Sequence, residues 1–229
     1  MTGFGERGGA SHVGVRWSLI VPVKHLGLAK TRLTRAAGEL REDLALAIAC
    51  DTVAAARSCP ATGAVFAVTE DPRARAELAG LGAVVVGGEP GGGLNPALEH
   101  GARIAAARLP GFGVCALSAD LPALRPAELE RVLAAAAAHG RSFLADSPGV
   151  GTTLLAASPG MRLAPAFEGA SRARHLAGGA RELLVPGTES VRRDVDTPED
   201  LTAAAALGVG PRTRELLERV AARAPSDAC

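Results

Sequence analysis

The chain has 229 residues, and its 25 Lys and Arg against 24 Asp and Glu leave a formal net charge of +1, without the positive excess of a general nucleic-acid binder. Hydrophobic residues make up 48%, ample for a core, but aromatics are 3% with no Tyr, so Ala, Val and Leu must fill it. No run approaches the roughly 20 apolar residues of a membrane span. Neither nucleic acid nor membrane is expected as a partner, whereas a small anion held by a few local cations fits.

Met1 to Arg16 is Gly-rich and polar, lacks the apolar core of a signal peptide, and is expected to be a disordered extension. Trp17 to Val23 is the first strand, feeding a loop with Lys24, Lys30 and Arg32. Glu39 to Ser58 follows as a helix with Leu40, Leu44, Ala47 and Ile48 on one face. Ala64 to Thr69 reads as a strand, Pro72 to Leu81 as a helix opened by Asp71-Pro72, and Ala83 to Val86 as a short strand. A glycine-rich loop, Gly87 to Pro96, precedes a helix over Ala97 to Arg108.

Val114 to Pro122 is the stretch on which the rest is organised. A short apolar run ends at Asp120, and Pro122 stops any continuation, which reads as a buried parallel strand delivering a carboxylate to its carboxyl end. Ligands of open α/β sheets bind at that edge. Alone, Asp120 is equally well read as a turn or helix-capping residue.

Pro126 to His139 is helical. Ser142 to Ala145 and Thr153 to Ala157 are strands, and Phe167 to Gly179 is a loop entering a short helix. Glu182 to Val185 and, more weakly, Val191 to Val195 are further strands. Thr197-Pro198-Glu199-Asp200 has a capping-box pattern opening a helix to Leu207. Arg212 to Arg223 is a charged amphipathic helix, expected to pack loosely or to contact a partner. Alternating strands and helices imply repeated βαβ units, hence one α/β domain with a mostly parallel sheet covered on both faces. Its expected span is 17–208, with a C-terminal helix and tail over 209–229.

Cys50, Cys59, Cys115 and Cys229 lack metal-site spacing and read as reduced thiols of a cytoplasmic protein. Lys24, Lys30 and Arg32 after the first strand suit a polyphosphate, although the loop is neither a Walker loop nor a dinucleotide glycine motif and equally describes a solvated basic turn. Thr197, Pro198 and Asp200 are explained as capping. Asp194 and Asp196 are not: at strand spacing they point the same way, and beside Asp120 they would suit Mg2+. Asp146 to Thr153 and Phe167 to His175 combine hydroxyls, glycine amides and cations, as a small phosphorylated acid requires. His175 taken alone reads as a surface or capping histidine.

Taken together, Val21-Pro22-Val23-Lys24, Ala29-Lys30-Thr31-Arg32-Leu33, Gly93-Leu94-Asn95, Ser118 to Pro122, Gly151-Thr152-Thr153, Phe167 to His175 and Asp194 to Pro198 resemble the phosphoenolpyruvate / 2-phospho-L-lactate guanylyltransferases. That family acts in coenzyme F420 biosynthesis and belongs to the molybdenum-cofactor-guanylyltransferase-like nucleotidyltransferases. The resemblance implies a single Rossmann-like, GT-A-like domain and transfer of GMP from GTP to a phosphorylated acid. Phosphoenolpyruvate is the first expectation for that acid, with 2-phospho-L-lactate or 3-phosphoglycerate, or a related nucleotidyl transfer with another base or acceptor, as alternatives, and the product would be handed to the next pathway transferase. It also implies that Pro22, Lys24, Lys30, Arg32, Gly93 and Asn95 bind the nucleotide, with Lys24, Lys30 and Asp120 catalytic. Asp120, Asp194 and Asp196 would hold Mg2+, and Thr153, Glu168 and Ser171 the acceptor. One departure stands out: the family pattern Phe-Gly-x-x-Ser reads Phe167-Glu168-Gly169-Ala170-Ser171 here. Either Glu168 supplies the backbone contact with its carboxylate turned away, or Gly169 replaces it through a local shift.

Overall fold

The computed structural model describes residues 15–223. The expected disordered extension over 1–16 falls, apart from Val15 and Arg16, outside the described residues, as does Cys229. Short runs of small and β-branched residues pair into one seven-stranded sheet: β1 (Trp17–Pro22), β2 (Thr62–Val68), β3 (Val84–Val86), β4 (Gly113–Leu117), β5 (Arg141–Ala145), β6 (Thr152–Ala157) and β7 (Arg181–Glu182), in the order β3-β2-β1-β4-β6-β5-β7. The first four strands are parallel, β6 runs antiparallel to β4 and β5, and β7 lies parallel to β5. The expected mostly parallel sheet is therefore present, with β7 ending before the expected Val185.

Between the strands lie α1 (Thr34–Ala37), α2 (Arg41–Ser58), α3 (Pro72–Gly80), α4 (Leu94–Arg108), α5 (Pro126–Ala136) and α6 (Ser171–Ala177), and after β7 follow α7 (Glu189–Arg192), α8 (Pro198–Leu207) and α9 (Pro211–Arg223). Alternation along the strands gives the sheet two apolar faces. Leu19, Val65, Cys115 and Leu154 pack against Val53 of α2, Leu78 of α3 and Leu133 of α5. Ile20, Phe66, Ala116 and Leu155 pack against Leu98 of α4 and the Leu163–Phe167 segment. At Gly101 a side chain would meet Ile20 Cγ2 and Val68 Cγ2 at 2.6 Å, so glycine is what lets α4 lie this close to the sheet.

Helix α2 is covered on both sides. Its second side, Leu44, Ala47 and Ile48, packs against Leu201 and Ala204 of α8 and Leu216 of α9. A helix apolar on every side is buried, and α2 is buried. Helix α9 does not pack loosely: Asp51, in the middle of α2 and 6% exposed, accepts hydrogen bonds from the Arg212 and Thr213 backbone amides and so caps the first turn of α9. The capping box at Thr197 and Asp200 forms as expected. The weak strand expected over Val191 to Val195 does not: α7 occupies Glu189–Arg192, and Glu128 accepts from Ser190 N and Oγ to hold that turn. The buried Val191 and Val195, which suggested a strand, serve as plugs on either side of an extended passage.

Candidate active site

At the carboxyl ends of β1 and β4 a cleft of about 490 Å3 opens over the sheet. One wall begins where β1 stops. After Pro22 the chain turns through two short 3-10 turns, Leu26–Leu28 and Thr31–Leu33, around Lys30. The Arg41 guanidinium, at the start of α2, donates to the carbonyls of Leu26 and Gly27 at 3.1 Å and to that of Ala29. Those bonds gather the loop and leave Lys30 in the left-handed region at φ 52, a conformation costing roughly 1–2 kcal/mol for a residue with a Cβ. Such strain is often kept where it aims a functional group.

It aims Lys30 at the acids. Lys30 Nζ lies 2.5 Å from Asp120 Oδ2 and 2.9 Å from Asp196 Oδ1. Two segments 70 residues and more apart in the chain are brought together by one backbone bond, Val195 N donating to the Asp120 carbonyl at 3.1 Å. Asp194 and Asp196 thereby flank the buried Val195 and both face the cleft, so their alternation survives without a strand. Lys24 and Arg32 stand exposed on the same wall.

The charge balance of this cluster is incomplete. Burial alone would lower the Lys30 pKa, but the Asp120 and Asp196 carboxylates outweigh it and hold the ammonium above its ordinary value. Burial would raise Asp196, yet Lys30, Arg32 and Lys24 hold it below the usual carboxylate range. Asp194 has no such partner among the described residues: burial, reinforced by Asp120, Asp196 and Asp146, pushes it up to about 7. Clustered carboxylates short of positive charge are the oxygen-rich, acidic donor set that suits Mg2+. Among the described residues no three acidic, His or Cys side chains form a ready cage, because the Lys30 ammonium sits between Asp120 and Asp196. The residues fit the ion by donor chemistry, with the lysine holding the place between two of the acids.

The opposite wall is built mainly of hydroxyls and backbone amides, with the carboxylates of Glu168 and Asp146 among them. Glu168, Gly169, Ser171, Gly151 and Thr152 line it, with Phe167 at its base. Asp146 shapes the turn before β6 by accepting from Val150 N at 2.8 Å and Gly151 N at 2.7 Å. Glu168 adopts φ 78 and Gly169 φ 48, so Glu168 holds the left-handed backbone that a glycine takes without cost.

Pro22, Lys24, Lys30, Arg32, Asp120, Glu168, Ser171, Asp194 and Asp196 all line the cleft, whereas Gly93, Asn95 and Thr153 do not. The Asn95 side-chain amide is committed elsewhere: its Oδ1 accepts from Phe167 N at 2.8 Å and its Nδ2 donates to Phe167 O at 3.3 Å. It ties the start of α4 to the Phe167–Ser171 loop. Thr153 is fully buried, its Oγ1 without a hydrogen-bond partner among the described residues. Thr152 reaches the cleft in its place. Arg41 carried no sequence signal as a site residue, whereas Thr152 stood in the Gly151-Thr152-Thr153 segment but was passed over for its neighbour. His175, read from sequence as a surface or capping group, is 3% exposed.

The sequence model of a family described as "Guanylyl transferase CofC like" matches residues 17–226. The chain belongs to this family. Among its curated relatives, a phosphoenolpyruvate guanylyltransferase of Thermomonospora curvata is 62% identical over 209 residues, covering 91% of this chain and 92% of the relative. Another of that name, from Streptomyces coelicolor, is 59% identical and covers 90% and 98%. Among solved structures, a candidate nucleotide-diphospho-sugar transferase from Desulfovibrio desulfuricans G20 superposes with a TM-score of 0.66 at 16% identity, covering 90% of this chain and 95% of that one. That likeness shows the nucleotidyltransferase-type fold. In this guanylyl transferase family member no described helix is long and apolar enough to cross a membrane.

Proposed function

We propose that the protein moves GMP from GTP to the phosphate of phosphoenolpyruvate, giving enolpyruvyl-diphospho-guanosine and pyrophosphate, as a step in coenzyme F420 biosynthesis. The observation that carries this reading is the Lys30 ammonium clasped between Asp120 and Asp196 at the carboxyl edge of the sheet, with Asp194 beside it. A triphosphate and its cation need that combination of movable positive charge and convergent oxygen donors. The relatives from Thermomonospora and Streptomyces bear the name of this activity, which supports it.

The acceptor's phosphate oxygen is ionised at neutral pH and attacks the α-phosphorus of GTP. The bond from that phosphorus to the bridging oxygen breaks, and its electron pair leaves with pyrophosphate. No general base is required. Catalysis is then positioning and charge neutralisation. Lys24, Lys30 and Arg32 face the triphosphate from the first wall, with Pro22 beneath it. The Gly91–Gly93 turn, three consecutive left-handed glycines, stands beside the nucleotide end. Asn95 acts there through the Phe167 loop it holds. Asp120, Asp194 and Asp196 would hold Mg2+, which when bound supplies further neutralisation of phosphate charge. On the second wall Ser171, the Glu168 amide and Thr152 receive the acceptor, with the buried Thr153 behind them. An enol diphosphate product is labile, so direct transfer to the next enzyme is part of this reading.

The test is mass spectrometry of products formed from GTP and Mg2+ with phosphoenolpyruvate, 2-phospho-L-lactate or 3-phosphoglycerate in turn, coupled to the next pathway enzyme. The reading expects a guanosine diphosphate conjugate from phosphoenolpyruvate in preference to the other two. A conjugate only with another acid would replace the acceptor, and none with any acid would overturn the reaction.

A further inference from the structure

His175 lies 23 residues from Thr152 in sequence yet sits against it in the fold, wedged between Phe143 and Phe167 with ring centroids at 5.6 Å and 5.1 Å. Both ring nitrogens are engaged. The Ala166 backbone N–H donates to Nε2 at 3.0 Å, and Nδ1 lies 2.9 Å from Thr152 Oγ1. A backbone amide can only donate, so Nε2 is the bare nitrogen and the ring proton belongs on Nδ1. Nδ1–H then donates to Thr152 Oγ1. The threonine's own proton is left over, and among the described residues no acceptor takes it. Thr152 is 7% exposed and that small opening faces the cleft.

The backbone makes the same point independently. Between β5 and β6 the register runs Phe143 to Leu155 and Leu144 to Leu154, then jumps to Ala145 opposite Thr152, leaving Thr153 unpaired. A bulge of this kind re-aims the side chain beside it. It carries Thr152 to the face where Phe143, Phe167 and His175 lie.

We propose that His175 is a positioning residue: its Nδ1–H tautomer, fixed by the Ala166 amide, turns the Thr152 hydroxyl into a hydrogen-bond donor to the anionic acceptor. This rests on the acceptor being a phosphorylated acid, as proposed above. The ring stays neutral at physiological pH, since burial and the nearby Arg174 and Arg141 push His175 down to about 4. A charged ring would have both nitrogens protonated and would lose the Ala166 bond.

Nitrogen NMR of the histidine-labelled full chain, with His175→Gln for assignment, reads the tautomer without any turnover. The expected result is a protonated Nδ1 and a bare Nε2 at pH 7; the reverse overturns the proposal. Steady-state kinetics then read the consequence. Thr152→Val removes the donor and should raise KM for phosphoenolpyruvate roughly 10- to 100-fold while leaving KM for GTP in place. Thr152→Ser, which keeps the hydroxyl, should recover most of that loss. His175→Gln, which lacks a donor at the Nδ1 position, should shift the same KM, and the double variant should be no worse than Thr152→Val. An unchanged acceptor KM in Thr152→Val, or additive effects in the double variant, overturns the proposal. A wild-type protein that turns over none of the phosphorylated acids overturns the parent reading and this one with it, and is seen before any variant is made.

Discussion

The two walls of the cleft solve opposite problems. The first gathers charge that is unevenly paired: Asp120 and Asp196 share Lys30, and Asp194 beside them is pushed up to about 7. The second carries no cation in the cleft lining, only the carboxylates of Glu168 and Asp146 among hydroxyls and amides, and is held by neutral bonds from Asn95 to Phe167 and from Ala166 to His175. Charge that awaits a ligand makes the first wall responsive, whereas satisfied amides make the second a fixed template. A transferase joining two anions needs both. One site must neutralise a triphosphate, and the other must hold an acceptor in line while adding little repulsion.

The comparison breaks most sharply at Asp120. Asp120→Asn keeps the shape and removes the charge, and turnover measured by pyrophosphate release should fall roughly 10³-fold or more. Near-normal turnover would show that the first wall does not act through its charge.

The pH dependence of stability separates the walls next. Asp194 has a raised folded pKa, so its contribution is complete below the unfolded value near 4 and is lost as pH climbs through about 7. His175 has a depressed folded pKa, so its contribution is complete above about 6.5 and is lost as pH falls through about 4. Over the shared window the two slopes oppose each other. Relative to the wild type, metal-free Asp194→Asn should therefore gain stability as pH rises from 4 to 6.5. His175→Gln should lose stability relative to the wild type over the same range. Denaturant midpoints across that range check both, and identical slopes in the two variants would remove the contrast.

Smaller effects sharpen the picture. Arg41→Met frees the carbonyls of Leu26, Gly27 and Ala29 and should cost about 2 kcal/mol while raising KM for GTP more than KM for the acceptor. Glu168→Gly relieves a left-handed backbone and should stabilise by about 1 kcal/mol, seen as a small rise in Tm.

What could be read from the sequence was local. The apolar run into Asp120, the lysines after β1 and the capping box at Thr197 each depend on neighbours a few residues away, and each stands where expected. Val191 to Val195 misled because two buried valines at even spacing imitate a strand, while the α7 turn that carries Val191 is held at Ser190 by Glu128, 62 residues distant. Helix α9 looked peripheral because its cap, Asp51, lies 161 residues upstream of Arg212. The choice of Thr152 over Thr153 depends on a one-residue bulge that periodicity does not register. The role of Asn95 was hidden similarly, its amide being taken by Phe167, 72 residues on.

Phosphorus NMR of the protein incubated with GTP, phosphoenolpyruvate and Mg2+ tests the central claim most directly. Guanylyl transfer across the two walls predicts the loss of the phosphoenolpyruvate resonance, a new pair of coupled diphosphate resonances and an equal amount of pyrophosphate, all absent with Asp120→Asn. Formation of GDP, or unchanged spectra with the wild-type protein, would contradict it.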